Sequence, residues 1–237
     1  KSQKEQNMKA KAITFDLDDT LWPILPVIIR AEEETNAWLK NNYPAVKKIM
    51  DTSEILHIRT EILNKYPEFK NDLSKLREKS YESLGLRAGY SHQEAKKLAK
   101  DSFDIFYKRR NEVDLFEGVE ETLKVLKEVY LLGVITNGNA NVKKIGLDAY
   151  FDVVVSSESS NSLKPEPEIF LETIRQLNLQ PSQIYHVGDH PINDVKGCYE
   201  VGMKPIWFNL QKKDWPLEEE IDFLEVSNWF ELKDNLT

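Results

Sequence analysis

A short apolar run, Ala12-Ile13-Thr14-Phe15, leads into a knot of carboxylates at Asp16, Asp18 and Asp19, with Leu17 among them and Thr20, Leu21 and Trp22 behind. Apolar residues bounded by charge suit a buried parallel strand with its polar groups at the exit, and a period of two points Asp16 and Asp18 to the same side. Two carboxylates in one small space repel each other unless a cation lies between them or one of them keeps a proton. Both arrangements have a chemical use. One carboxylate can bind a divalent cation and attack an electrophile, while the other donates and later accepts a proton. Taken alone, the same aspartates also suit a turn or a helix cap, so the rest of the chain decides between these meanings.

After Trp22 the texture changes to long amphipathic helices, up to about Asn111. Pro26 suits a first helical turn, and Val27, Ile28, Ala31, Thr35, Trp38 and Leu39 keep the three-four spacing of one helix face. Asp51-Thr52-Ser53-Glu54 resembles a capping box and opens a second helix carrying Ile55, Leu56, Ile58, Ile62 and Leu63, which Tyr66-Pro67 closes. A third stripe uses Phe69, Leu73, Leu76, Tyr81 and Leu84 before Gly85 and Gly89 break the pattern. The fourth starts at Ser91-His92-Gln93-Glu94 and runs through Ala95, Leu98, Ala99, Phe103 and Phe106. Four such stripes can bury one another. Residues 23–110 are therefore expected to form a helical bundle inserted between two core segments, 8–22 and 111–237.

From Phe116 onward helices and strands alternate. Apolar runs at Leu131–Ile135, Asp152–Val155, Ile184–Gly188 and Lys204–Phe208 join the opening segment to make five short strands separated by helices. This is the pattern of a doubly wound, Rossmann-like parallel α/β sheet. Ligands bind such sheets at the carboxyl ends of the strands, and there the chain delivers Asp16, Asp18, Thr136, Asn137, Gly138, Lys164, Asp189 and Asp194. The tail from Gln211 to Thr237 offers only aromatic packing residues and acidic ones.

Carboxylates without a thiolate or a histidine cluster favour a hard, oxygen-loving cation, Mg²⁺ rather than zinc. His57 and His92 fall in the helical insert and His186 within a strand. Only His190 stands beside a candidate ligand, Asp189, and it reads as a loop residue. The Thr136 hydroxyl, turn amides around Asn137-Gly138 and the Lys164 ammonium are the groups that the equatorial oxygens of a phosphoryl group require. The combination suits phosphoryl transfer through an aspartyl-phosphate.

In their order along the chain, Asp16-Leu17-Asp18-Asp19-Thr20, Thr136-Asn137-Gly138, Lys164-Pro165 and Gly188-Asp189 with Asp194 resemble the motifs of the haloacid dehalogenase-like hydrolase superfamily, and the likeness extends over essentially the whole chain, helical cap included. The resemblance implies that Asp16 is the nucleophile and a Mg²⁺ ligand. It makes Asp18 the general acid and base, binding the metal through its carbonyl, and gives Thr136 and Lys164 the phosphoryl group to hold. Asp189 would complete the metal site and Asp194 would support Lys164 or the metal's water shell. Dehalogenase members of the superfamily have no acid/base carboxylate at the place of Asp18, so its presence argues for a phosphatase. The segments Leu21–Glu32, Ile135–Asn139 and His186–Asp189 are similar to bacterial members that dephosphorylate flavin mononucleotide and the phosphorylated pyrimidine intermediate of riboflavin synthesis.

Other functions fare less well. A net charge of −8 disfavours a nucleic-acid surface, which requires a concentrated basic face. Lys108, Arg109 and Arg110 could steer an anion locally, though they read first as a solvated helix end. No run reaches the roughly 20 apolar residues of a membrane span. Lys1 to Asn7 lack the apolar core of a signal peptide. The single cysteine, Cys198, excludes an internal disulfide and fits a reducing, cytoplasmic setting as a packing residue. A small phosphorylated metabolite is the expected partner, and a monomer or weak dimer the expected state. A sugar phosphomutase would use the same acid/base carboxylate, and a non-catalytic binding protein could keep the fold. A dinucleotide enzyme would need G-x-G-x-x-G after the first strand, which is missing.

Overall fold

The computed structural model describes residues 10–50 and 52–237. The expectations for Lys1 to Asn7 and for Asp51 as a helix start lie outside the described residues. The chain divides into two compact units, one made of residues up to Pro23 together with Asp114–Thr237, the other of Ile24–Val113.

In the first unit, β1 (Ala12–Phe15) is buried along its whole length, as a strand covered on both faces requires. In the second unit, α1 (Ile24–Asn42) buries Val27, Ala31, Thr35 and Leu39. Next come α2 (Thr52–Lys65), α3 (Leu73–Arg87) and α4 (His92–Arg110). The capping box at Ser91 and Glu94 is formed, each side chain meeting the other's backbone. Phe69 belongs to a separate 3₁₀ turn, Pro67–Asn71. Gly85 does not break α3 but lies inside it, because a Cβ there would come within 3.1 Å of the Ala95 Cβ on α4. Helix interiors disfavour glycine by about 1 kcal/mol, and here that loss is set against the close approach of two helices. Leu39, Ile58, Ile62, Tyr81, Leu84, Leu98 and Ala99 form the buried cluster of this unit.

The first unit continues with α5 (Val119–Lys127), β2 (Leu131–Thr136), β3 (Val153–Ser156), α6 (Pro167–Leu177), β4 (Ile184–Gly188) and β5 (Lys204–Phe208). The tail, which carries no clear periodicity, adds two further elements, β6 (Leu224–Val226) and α7 (Trp229–Leu236). The six strands lie in the order β3-β2-β1-β4-β5-β6, and every pairing is parallel. The sheet is thus the expected doubly wound α/β core with one strand more. On one face Ala12, Ile135, Val155 and Cys198 pack with Ile169 and Phe170 of α6. Elsewhere Phe15 stacks on Trp229 at 5.5 Å between ring centres. The Trp229 indole N–H donates to the Thr20 carbonyl at 2.9 Å, so the tail helix fastens the loop after β1. The chain order reverses between β1 and β4, and such a reversal opens a crevice at the strand ends.

Candidate active site

Four strand exits and the loops after them build the site. The Asp16 N–H donates to the Val187 carbonyl at 2.9 Å, so the β1–β4 ladder carries on to the aspartate itself. The chain then folds into tight turns, Leu21 N–H to Leu17 carbonyl at 2.8 Å and Asp19 N–H to Trp22 carbonyl at 2.8 Å. Asp19 adopts a left-handed conformation, φ 59°, which Asp tolerates better than most side chains. The Trp22 indole N–H donates to Asp18 Oδ1 at 3.0 Å, which fixes one oxygen of that carboxylate.

At the exit of β2, the Thr136 hydroxyl accepts from the Gly138 N–H at 3.0 Å. The Asn137 side chain clasps the backbone of Lys164, accepting from its N–H at 2.8 Å and donating to its carbonyl at 3.0 Å. That clasp turns the Lys164 side chain inward. Its ammonium meets Asp16 Oδ1 at 2.8 Å, Asp194 Oδ1 at 2.6 Å and the Ile135 carbonyl at 2.9 Å, so all three of its donors are used. Burial alone would lower the Lys164 ammonium, yet Asp16 and Asp194 hold it well above the usual lysine value.

Asp194 reaches back from the turn after β4. It accepts from Lys164, is in hydrogen-bond contact with His186 Nε2 at 3.1 Å, and accepts from the His190 N–H at 3.0 Å through Oδ2. Burial would raise its carboxyl, but Lys164 and His186 hold it well below the usual range. Gly188 makes room for it, since a Cβ at that position would overlap the Asp194 side chain. His186 is buried in β4 and bridges to the Thr14 hydroxyl on β1 at 2.9 Å. Burial lowers its imidazole although Asp194 opposes the shift. The structure thus adds Trp22 and His186 to the residues that shape the site and gives a packing reason for Gly188, already part of the Gly188-Asp189 motif. A period of two in β4 puts His186 and Gly188 on one side, but the pairing of His186 with Thr14 has no local signal. His190 caps the turn after it, its Nδ1 accepting from the Ile192 and Asn193 amides.

All eight residues singled out at the strand ends, Asp16, Asp18, Thr136, Asn137, Gly138, Lys164, Asp189 and Asp194, border one cavity of about 180 Å³, together with Asp19, His190 and Asn193. Carboxylate oxygens of Asp16, Asp189 and Asp194 lie within 4.8 Å of one another. Burial, followed by the neighbouring carboxylates, pushes Asp189 up to about 8. Burial also lifts Asp16 to about 7 although Lys164 opposes it. The cluster is therefore short of positive charge, and its donors are hard oxygens. That combination fits a divalent cation such as Mg²⁺. Asp16 and Asp189 are the better placed ligands, because both oxygens of Asp194 are already engaged. Arg110 is not a solvated helix end but is buried, and Arg109 is paired with Glu34 and Glu112. Among the described residues, no helix is long and apolar enough to cross a membrane.

Residues 10–202 match the haloacid dehalogenase-like hydrolase family. The chain is 33% identical to the 5-amino-6-(5-phospho-D-ribitylamino)uracil phosphatase YigB of Escherichia coli, over 87% of this chain and 86% of that protein. It is 28% identical to the glyceraldehyde 3-phosphate phosphatase of Pyrococcus furiosus, over 93% and 88%. Among solved structures, one described as a 2-haloacid dehalogenase from Pseudomonas syringae superposes with a TM-score of 0.92 at 38% identity, covering 96% of this chain and 98% of that one. The carboxylate cluster gathered around Lys164, the parallel sheet that delivers it and these likenesses agree, and the chain belongs to the haloacid dehalogenase-like hydrolases.

Proposed function

We propose that this hydrolase is a phosphomonoesterase that passes the phosphoryl group of a small metabolite through the Asp16 carboxylate. The observation that carries the reading is the second carboxylate, Asp18, bordering the same cavity as Asp16 and tied by one oxygen to Trp22. In the first step an Asp16 oxygen attacks phosphorus, the ester P–O bond breaks, and Asp18 gives its proton to the departing alkoxide. In the second, Asp18 takes a proton from water as that water attacks the aspartyl-phosphate, releasing inorganic phosphate and restoring the Asp16 carboxylate and the protonated Asp18. Thr136, the amides of Asn137 and Gly138, and Lys164 hold the phosphoryl oxygens, Lys164 and the Gly138 amide each exchanging a present contact for one to phosphate. Asp194 keeps the Lys164 ammonium aimed at Asp16.

Asp16, Asp189 and the Asp18 carbonyl would hold Mg²⁺, which offsets the repulsion between carboxylate and phosphate. The unit Ile24–Val113 serves as a cap and selects the substrate. The name of the Escherichia coli relative favours 5-amino-6-(5-phospho-D-ribitylamino)uracil as the substrate, and the framework segments Leu21–Glu32, Ile135–Asn139 and His186–Asp189 add flavin mononucleotide by resemblance. Phosphate release is to be measured from these compounds, from glyceraldehyde 3-phosphate and from sugar and nucleoside monophosphates, with Mg²⁺, with chelator and in Asp16→Asn. The expected result is metal-dependent release that Asp16→Asn abolishes. Halide release from a 2-haloacid with no phosphate release from any ester would overturn the reading.

A further inference from the structure

The helical unit holds a second cavity, of about 260 Å³, enclosed by α1, α2 and α3. Two arginines reach it from different helices. Both Arg77 guanidinium nitrogens Nη1 and Nη2 donate to Glu32 Oε1 at 3.2 Å, and Cζ of the same group lies 3.6 Å from the centre of the Phe106 ring. Arg59 Nη2 lies 3.7 Å from that same oxygen. Glu32 is the only acid on the wall among the described residues, so two guanidiniums share one carboxylate and the cavity keeps one positive charge. Burial and the nearby Arg77 lower the Arg59 guanidinium, the sign of a cation short of negative partners. Ile55, Ile58 and Leu84 supply apolar wall, with Tyr81 beside them.

We infer that this cavity is a binding site for a compact organic monocarboxylate, its carboxylate on the fork of Arg59 beside Arg77 and its apolar body against Ile55, Ile58 and Leu84. One unmatched charge calls for a monoanion rather than a phosphate dianion. A guanidinium offers a carboxylate two parallel N–H donors. The volume falls just under the roughly 300–1,000 Å³ typical of drug-sized ligands, which suits a single ring or a short branched chain. The lining residues all belong to the helical unit Ile24–Val113, and occupancy of the cavity does not depend on phosphoryl transfer.

The test is calorimetric titration of the full chain with benzoate, at low salt and with chelator present. Benzoate is expected to bind while benzyl alcohol, which has the ring and no charge, does not. Arg59→Gln is expected to weaken benzoate about tenfold or more, the loss expected on removal of a charge-assisted contact. Glu32→Gln is expected to tighten it by about the same factor, because Glu32 competes for the same guanidiniums. Circular dichroism confirms that each variant is folded, and the opposite signs separate a binding site from general damage. Equal binding of benzoate by wild type and both variants, displacement of benzoate by inorganic phosphate, or no binding at millimolar benzoate would each overturn the inference. Because phosphate release is never the readout, its failure and the failure of the phosphatase reading remain distinguishable.

Discussion

Removing a carboxylate from the proposed metal site should make the metal-free protein more stable. Asp189 is raised from 3.8 to about 8 by burial and then by Asp194, Asp16 and Asp19. Each unit of raised pKa corresponds to about 1.4 kcal/mol, which sets an upper bound of about 6 kcal/mol; allowing for screening by water at a half-buried site leaves about 2 kcal/mol. For a chain of this length 1 kcal/mol moves Tm by about 2–4 °C, so Asp189→Asn with chelator at pH 8 should melt about 4–8 °C above wild type. The sign is set by the raised value. The unfolded chain gives up this proton near 3.8 and the folded chain near 8, so the carboxyl's contribution is fully present below 3.8 and is lost as pH rises through about 8. The gap between variant and wild type should therefore open across that window. Adding Mg²⁺ reverses the order. At 100 times its Kd a ligand adds about 2.7 kcal/mol to the state that binds it, a gain that the wild type should show and Asp189→Asn should lack. The assay is thermal and urea unfolding of both proteins at pH 4.5 and pH 8, with and without metal. A variant no more stable than wild type at pH 8 without metal, or equally stabilised by Mg²⁺, would refute the reasoning.

Asp194 predicts the opposite behaviour. Its carboxyl is buried and held well below the usual range by Lys164 and His186, so Asp194→Asn should destabilise by about 3 kcal/mol at pH 7, or about 6–12 °C in Tm. The depressed carboxyl contributes stability above 3.8 that is lost as pH falls below it, so acid unfolding curves should show the gap to this variant closing there. Gly188→Ala should displace the Asp194 side chain from Lys164, costing about 1–3 kcal/mol in urea unfolding and lowering turnover more than substrate affinity.

Much of the core and all eight residues gathered at the site are legible locally. β1, β2 and β4 are mostly apolar runs that carry site residues at their exits, where a parallel sheet places them. The capping box at Ser91 needs only four consecutive residues. The features without a local signal depend on distant partners. β6 is three residues long, and its pairing with Ile206–Phe208 is set by the register of β5, not by its own composition. Gly85 looks like a helix end in sequence because glycine usually is one; its reason is Ala95 on the next helix. His186 joins Thr14 to Asp194 across a separation of 172 residues on one side. Asn137 is expected among the phosphoryl-binding residues, and its side chain proves to hold the Lys164 backbone. Arg110 reads as a helix end in water because a basic run at a helix C-terminus usually is one, and its burial comes from tertiary packing.

The central claim is that Asp16 takes the phosphoryl group and Asp18 moves the protons, and p-nitrophenyl phosphate tests both because its leaving group departs without needing a proton. With Mg²⁺, Asp18→Asn should release a burst of about one equivalent of nitrophenolate per protein and then stall, with phosphate left on the chain in a hydroxylamine-labile acyl linkage, while Asp16→Asn should release none. Steady turnover without a burst in Asp18→Asn, or release of nitrophenolate by Asp16→Asn, would contradict the account.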